Sequence, residues 1–357
     1  MSYSMRYVRR RPPLYVLGTS GFAVCVALGG GGGGPAAESL DARTLLQQVA
    51  RFTERDFKAL EAGQPVVKVL DSDRREIAVA GAVRIDAPRD GLIERFRAVE
   101  ALMKGDVILD LGRLSATPKA DDLRALPFDE YDLDLRDCRA GECRVRLSAA
   151  DITRFHSEVD WKAADWKARS AAVWRDVLAG YVSAYSTDRS LPVYANKQDP
   201  LGVRDEMALL LRQSGFLAAS APELQAYLGD ARPRPAGVDD VIYWSKEDFG
   251  IRSVIRVSHQ IIFAPQPRTP HAPLIVATNQ IYAAHYLDAA LGLTLALDVP
   301  GVSPASGFYM VIVNRARTRS LSGFLRGMVR SKVQGKSRDL MHRVLSTTKT
   351  ALERPGH

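Results

Sequence analysis

Residues 251–263 read Ile-Arg-Ser-Val-Ile-Arg-Val-Ser-His-Gln-Ile-Ile-Phe, and no other stretch constrains the fold as strongly. Ile251, Ile255, Val257, Ile261 and Phe263 fall on one side of an extended chain, with Arg252, Arg256 and Gln260 on the other. Alternation of period two sustained over such a length marks a strand, and here it predicts one dry face and one wet one. Residues 274–285, 291–299 and 308–314 repeat the pattern. Residues 320–353 then change to helical spacing, with Leu321, Leu325, Met328, Val329, Val333, Leu340, Met341, Val344, Leu345 and Leu352 on one stripe. Arg326, Arg330, Lys332 and Lys336 lie mainly off that stripe and could approach anionic headgroups. The solvated side of a core helix would carry the same letters.

Upstream, residues 38–64 carry Leu45, Leu46, Val49, Phe52 and Leu60 near helical spacing, and Gly63 reads as a stop. Residues 65–70 and 77–85 alternate as strands around the turn Asp71-Ser72-Asp73. Asp86-Ala87-Pro88 opens a helix over 90–104. Strand character returns at 107–111 and 133–135. Residues 149–232 form a helical insertion within the β-rich body, containing Trp161, Trp166 and Trp174 and punctuated by prolines. The fold class expected is α+β: a curved antiparallel sheet around a long C-terminal helix.

The motif Val83-Arg84-Ile85-Asp86-Ala87-Pro88 leading into Leu92 and Phe96, several later strands and a Gly-containing terminal helix resemble START-like (Bet v 1-type) helix-grip domains. The similarity covers 76–148 and 238–353 within a domain of 65–353. It implies that the sheet grips the helix and encloses a cavity for a lipid or other hydrophobic small molecule.

Net charge is +8 over 357 residues, unevenly placed. Arg6, Arg9, Arg10 and Arg11 precede any acid, and eleven Lys/Arg face only Asp339 and Glu353 from Arg315 onward. The body between is mildly acidic, a distribution unlike that of a general nucleic-acid binder. Residues 1–37 have a basic start, a short apolar run and a small-residue exit. That is the layout of a signal peptide, with an uncleaved N-terminal anchor as the alternative. Export to the periplasm or cell envelope follows. Cys138 and Cys143 would then be the cysteines of the mature chain, bracketing a hairpin turn as a disulfide or standing as free thiols.

His259 sits among aliphatics, while Asn279, Tyr282, His285 and Tyr286 add polar groups to an apolar ladder. Apolar walls with few polar groups make a ligand pocket, and these five are the candidate ligand-binding residues. The alternative is a cavity enzyme using His259 or His285 as acid/base. Another is an envelope interaction module built on the Trp-rich helices. His156 and Asp160 could share a helix face, but no third ligand accompanies them, so neither a metal nor another cofactor is expected. No Gly-x-Ser-x-Gly elbow or Gly-Lys-Ser/Thr loop occurs, and no catalytic residue is assigned.

Overall fold

The computed structural model describes residues 41–97, 107–197, 199–230, 233–248, 252–265, 273–303, 305–319 and 326–354. The leader or anchor expected at 1–37 lies outside the described residues, as does the continuation of the first helix after Pro88 beyond Arg97.

Ten strands and ten helices alternate with long loops among the described residues. The expected single N-terminal helix is two, α1 (Ala42–Ala50) and α2 (Glu54–Glu61). Arg51 ends the first in a left-handed conformation, and Thr53 with Asp56 forms a capping box that starts the second. Next come β1 (Val66–Val69), β2 (Glu76–Ile85), α3 (Asp90–Arg97) and β3 (Ile108–Arg113). The short α4 (Glu130–Leu133) follows, then α5 (Ala149–Glu158), α6 (Trp166–Asp188) and the paired two-residue strands β4 (Val193–Tyr194) and β5 (Leu201–Gly202). Completing the insertion are α7 (Val203–Arg212), α8 (Gly215–Ser220) and α9 (Pro222–Gly229). The meander β6 (Val238–Asp248), β7 (Ser253–Phe263), β8 (Leu274–Ala283), β9 (Ala289–Asp298) and β10 (Phe308–Arg317) leads to α10 (Arg326–Glu353).

One curved antiparallel sheet holds eight strands in the order β1-β2-β10-β9-β8-β7-β6-β3. The five-stranded meander is thus extended at one edge by the β1–β2 hairpin and at the other by β3. Since β3 and β6 are neighbours, the insertion leaves and rejoins the sheet at the same edge.

Two expectations fail here. Residues 133–135 and 144–148 are not strands: Leu133, Leu135, Cys138, Val145 and Leu147 bury themselves in the helical layer without a β partner. Cys138 and Cys143 nonetheless form a disulfide, their Cα atoms 4.4 Å apart. Nor does β7 have the wet face expected: Arg252 is exposed just before the strand, but Gln260 is 1% exposed and the Arg256 side chain only 16%, held against Glu247. The cause is a layer on each side of the sheet. On one side α1, α2 and α7–α9 cover Ile261, Ala277, Leu293 and Val311, while α6 covers Val257 and Tyr282. On the other, Leu92 and Ile93 of α3 and Met341 and Leu345 of α10 cover Ile77, Val83, Val276 and Met310.

The terminal helix rests mainly on β1 and β2. Gly81 permits this approach: a β-carbon there would lie 2.7 Å from Leu345 Cδ1 and 2.8 Å from Met341 Sδ. The expected apolar stripe is only partly used, since Val333 and Val344 stay 39% and 41% exposed. Polar ties hold both ends. Arg330 donates to Asp73 O and Ser72 Oγ, each at 2.7 Å. Lys349 Nζ donates to Arg84 O at 2.9 Å, and Glu353 accepts from Asp86 N at 2.7 Å.

Candidate functional site: a trough with an unpaired polar end

Cross-strand partners share a face, so register tells which side chains lie together beside the terminal helix. Asn314 pairs with Gly292, which pairs with Thr278; Ile312 pairs with Thr294, and Ala316 with Ala290. These positions belong to the central strands, where burial on both sides would be expected. Asn314 is nevertheless exposed, and Ile312, Ala316, Ala290, Gly292 and Thr278 keep partial access. Small residues make the difference: a β-carbon on Gly292 would already reach within 3.2 Å of Asn314 Oδ1. The result is a partly open strip, the trough, along the middle of this face.

At one end the floor is apolar, with Val83, Met310, Ala296 and Leu274 in register and buried. At the other, Gln260 faces Thr278, Ser258 faces Gln280, and Tyr243 of β6 faces Ser258. Gln260, Gln280 and Ser258 are at most 1% exposed. Gln260 Nε2 donates to Phe96 O at 2.9 Å, and Gln280 Nε2 to Leu287 O at 3.5 Å. Their Oε1 atoms, with Ser258 Oγ and Arg256 Nε, have no hydrogen-bond partner. Each such group carries a desolvation cost of about 1–3 kcal/mol. Arg256 directs Nη1 at both Glu247 oxygens, 3.1 and 2.9 Å away, and Ser245 Oγ donates to Glu247 at 2.7 Å. Burial pushes the Tyr243 hydroxyl up to about 12, against the pull of the Arg256 charge.

The five residues singled out by sequence lie elsewhere. His259 and Asn279 are a cross-strand pair on the opposite face, beneath the insertion. Asn279 Nδ2 donates to Tyr185 Oη at 3.1 Å, Tyr185 lies 3.0 Å from His259 Nδ1, and His259 Nε2 lies 3.2 Å from Asp240 Oδ2. Because the carboxylate only accepts, Nε2 carries the proton and Nδ1 accepts from the phenol. Beside this relay is a cavity of about 20 Å³, lined by Tyr185, Arg189 and Met207 among others, room enough for one water and too small for a substrate. Tyr282 is a core side chain: its hydroxyl donates to Arg146 O at 2.9 Å and its ring stacks on Tyr181 at 5.6 Å. His285 and Tyr286 occupy the β8–β9 turn, where Tyr286 has φ +58° and His285 Nε2 stands 3.8 Å from Asp132 Oδ1.

Two causes separate these residues from the trough. The odd positions of β7 face the insertion, and a bulge at Val257/Ser258 shifts the phase of β8. The same alternation contained the signal for Gln260 and Ser258, had the even positions been taken as a second covered face. Arg330 is committed to the β1–β2 turn, whereas Lys332 and Lys336 are exposed. The side chain of Arg326 lies outside the described residues. Trp174 is fully buried, while Trp161 and Trp166 are half-buried and pack on each other at 5.9 Å. Among the described residues, no three His, Cys, Asp or Glu side chains are grouped to hold a metal, and no helix is long and apolar enough to cross a membrane.

No family model, curated protein or solved structure matches this chain.

Burial lowers the pKa of His259, and the hydrogen bond to Asp240 only partly opposes it. A folded-state pKa below the ordinary 6.5 means that the neutral ring contributes stability above that pH, which is lost as pH falls through the depressed value. His259→Gln should therefore be less stable than the parent by about 1–2 kcal/mol at pH 7.5, for the loss of a buried relay member. The gap should narrow towards pH 5 in urea melts. A constant gap across that range would mean that His259 does not titrate in this way.

Proposed function

We propose that this protein binds a hydrophobic small molecule, lipid in type, in the trough between the sheet and the terminal helix, as START-like helix-grip domains do. The observation that carries the reading is the pairing of an open floor of small residues with buried polar atoms that lack partners. Ligand sites combine mostly apolar walls with a few fixed polar groups, and this face has both. The order β2, Asp86-Ala87-Pro88, α3, meander and terminal helix supports the helix-grip assignment. The helical layer on the opposite face is an addition to that plan. Export belongs to the proposal, since the Cys138–Cys143 disulfide suits an oxidising compartment such as the periplasm. Exposed Lys332 and Lys336 would let α10 meet an anionic membrane surface during loading. No chemistry on the ligand is required.

Native mass spectrometry of the purified full chain, followed by solvent extraction, tests the reading. A bound amphiphile is expected in the parent. Ala290→Phe and Ala316→Phe, which fill the floor, should reduce its occupancy by about tenfold or more, as a bulky ring in a shaped pocket does. Circular dichroism should show both variants folded. A parent with nothing bound and no uptake of added lipid would sink the proposal.

A further inference from the structure

The polar end of the trough is not uniform in sign. Two of its unpaired atoms, Gln260 Oε1 and Gln280 Oε1, can only accept, while Arg256 Nε can only donate. The bond of Gln260 Nε2 to Phe96 O at 2.9 Å fixes the orientation of that amide, and Gln280 Nε2 lies 3.5 Å from Leu287 O. Ser258 Oγ stands opposite Gln280 in register and can accept or donate. Arg256 is the nearby cation, but Glu247 takes its Nη1 through both oxygens. The pair is electrically balanced, so a second anion would meet the Glu247 charge as well as the guanidinium. Arg113 lies on the far side of Tyr243 and donates to Arg97 O.

We infer that the ligand's polar head is uncharged and carries two hydroxyls, one donating to Gln260 and one to Gln280, and that carboxylate and phosphate heads are disfavoured. This rests on the trough being the ligand site. An ionised carboxylate has no proton for either amide oxygen, and it would leave both unpaired while burying a charge. A monoacylglycerol, with two hydroxyl protons, can satisfy both acceptors and place its chain along the apolar floor towards Met310 and Leu274. The recognised class is a neutral hydroxylated amphiphile.

The test is competition calorimetry on the purified full chain with monolauroylglycerol, laurate and lauryl phosphate, which share one chain length. At pH 7.5 the glyceride should bind at least about tenfold more tightly than either anion, since sites built to pair a hydroxyl discriminate strongly against heads that cannot donate. Laurate should gain affinity as pH falls and its carboxyl acquires a proton, while the glyceride should not. Gln260→Leu and Gln280→Leu should each erode the preference for the glyceride, and the pH series on the parent stands even where a variant folds poorly. If laurate or lauryl phosphate binds as tightly as the glyceride at pH 7.5, the head assignment is wrong and the trough reading survives. If none of the three binds, both fall together.

Discussion

Arg317→Met should lower stability by about 3–5 kcal/mol at neutral pH, the range found when one partner of a buried ion group is removed. Arg317 is 3% exposed and contacts Glu206 and Asp73, both at 2.5 Å, with Glu76 at 3.8 Å. Glu76 is wholly buried and Glu206 nearly so. The remaining cations are Arg315 on Glu76 and Arg75, which is shared between Glu206 and the buried Asp288. Even with Arg317 in place, burial holds the pKa of Glu76 above its ordinary 4.5, outweighing the Arg315 charge. A raised folded-state pKa contributes stability below 4.5 that is lost as pH rises through the folded value. Removing Arg317 pushes Glu76 further the same way, so the deficit should be small near pH 4.5 and largest at pH 7.5. Urea unfolding at the two pH values checks this. A deficit under about 1 kcal/mol at pH 7.5, the size of an exposed pair, would show that water reaches the cluster.

Trp174→Ala should cost a similar amount, about 3–5 kcal/mol, because it opens a large cavity. The indole is fully buried, 5.3 Å from Phe155 and 6.2 Å from Tyr282 by ring centroids. Its N–H donates to Asp132 O at 2.8 Å, so truncation also strands a buried carbonyl. Trp174→Phe, keeping a ring but losing the donor, should fall between parent and alanine. More telling is the shape of the transition. Trp174 belongs to a core containing sheet residues Val257, Tyr282 and Trp244, so insertion and sheet should melt in one step in both variants. A separate low-temperature transition in Trp174→Ala would mean that the insertion folds independently.

Strand positions were legible because alternation is a local property. Residues 251–263 and 291–299 predicted strands within a few residues of β7 and β9. What covers each face was not, because covering is a tertiary event: Gln260 looks solvent-bound in sequence and is buried beside Phe96. β6 illustrates the limit best. It carries Asp239, Asp240, Lys246 and Glu247, and it places Asp240 on His259 and Glu247 on Arg256. A strand whose charges are paired inside resembles a loop in composition alone. The disulfide was legible from spacing, whereas the hairpin imagined around it was not, since Leu133 and Val145 follow helical neighbours.

The order of the sheet has a consequence for how the chain comes to be finished. β2, with nine of its ten residues buried, pairs on its inner side with β10, Ile85 against Phe308 and Glu76 against Arg317. While the polypeptide is being made, β2 has only the four-residue β1 as a strand partner until Phe308–Arg317 has emerged. Contacts so distant along the chain slow folding and leave sticky edges uncovered meanwhile. Truncation just before Phe308 should therefore yield a product that depends on holding chaperones, whereas β6 to β9 can zip from their turns as soon as they appear.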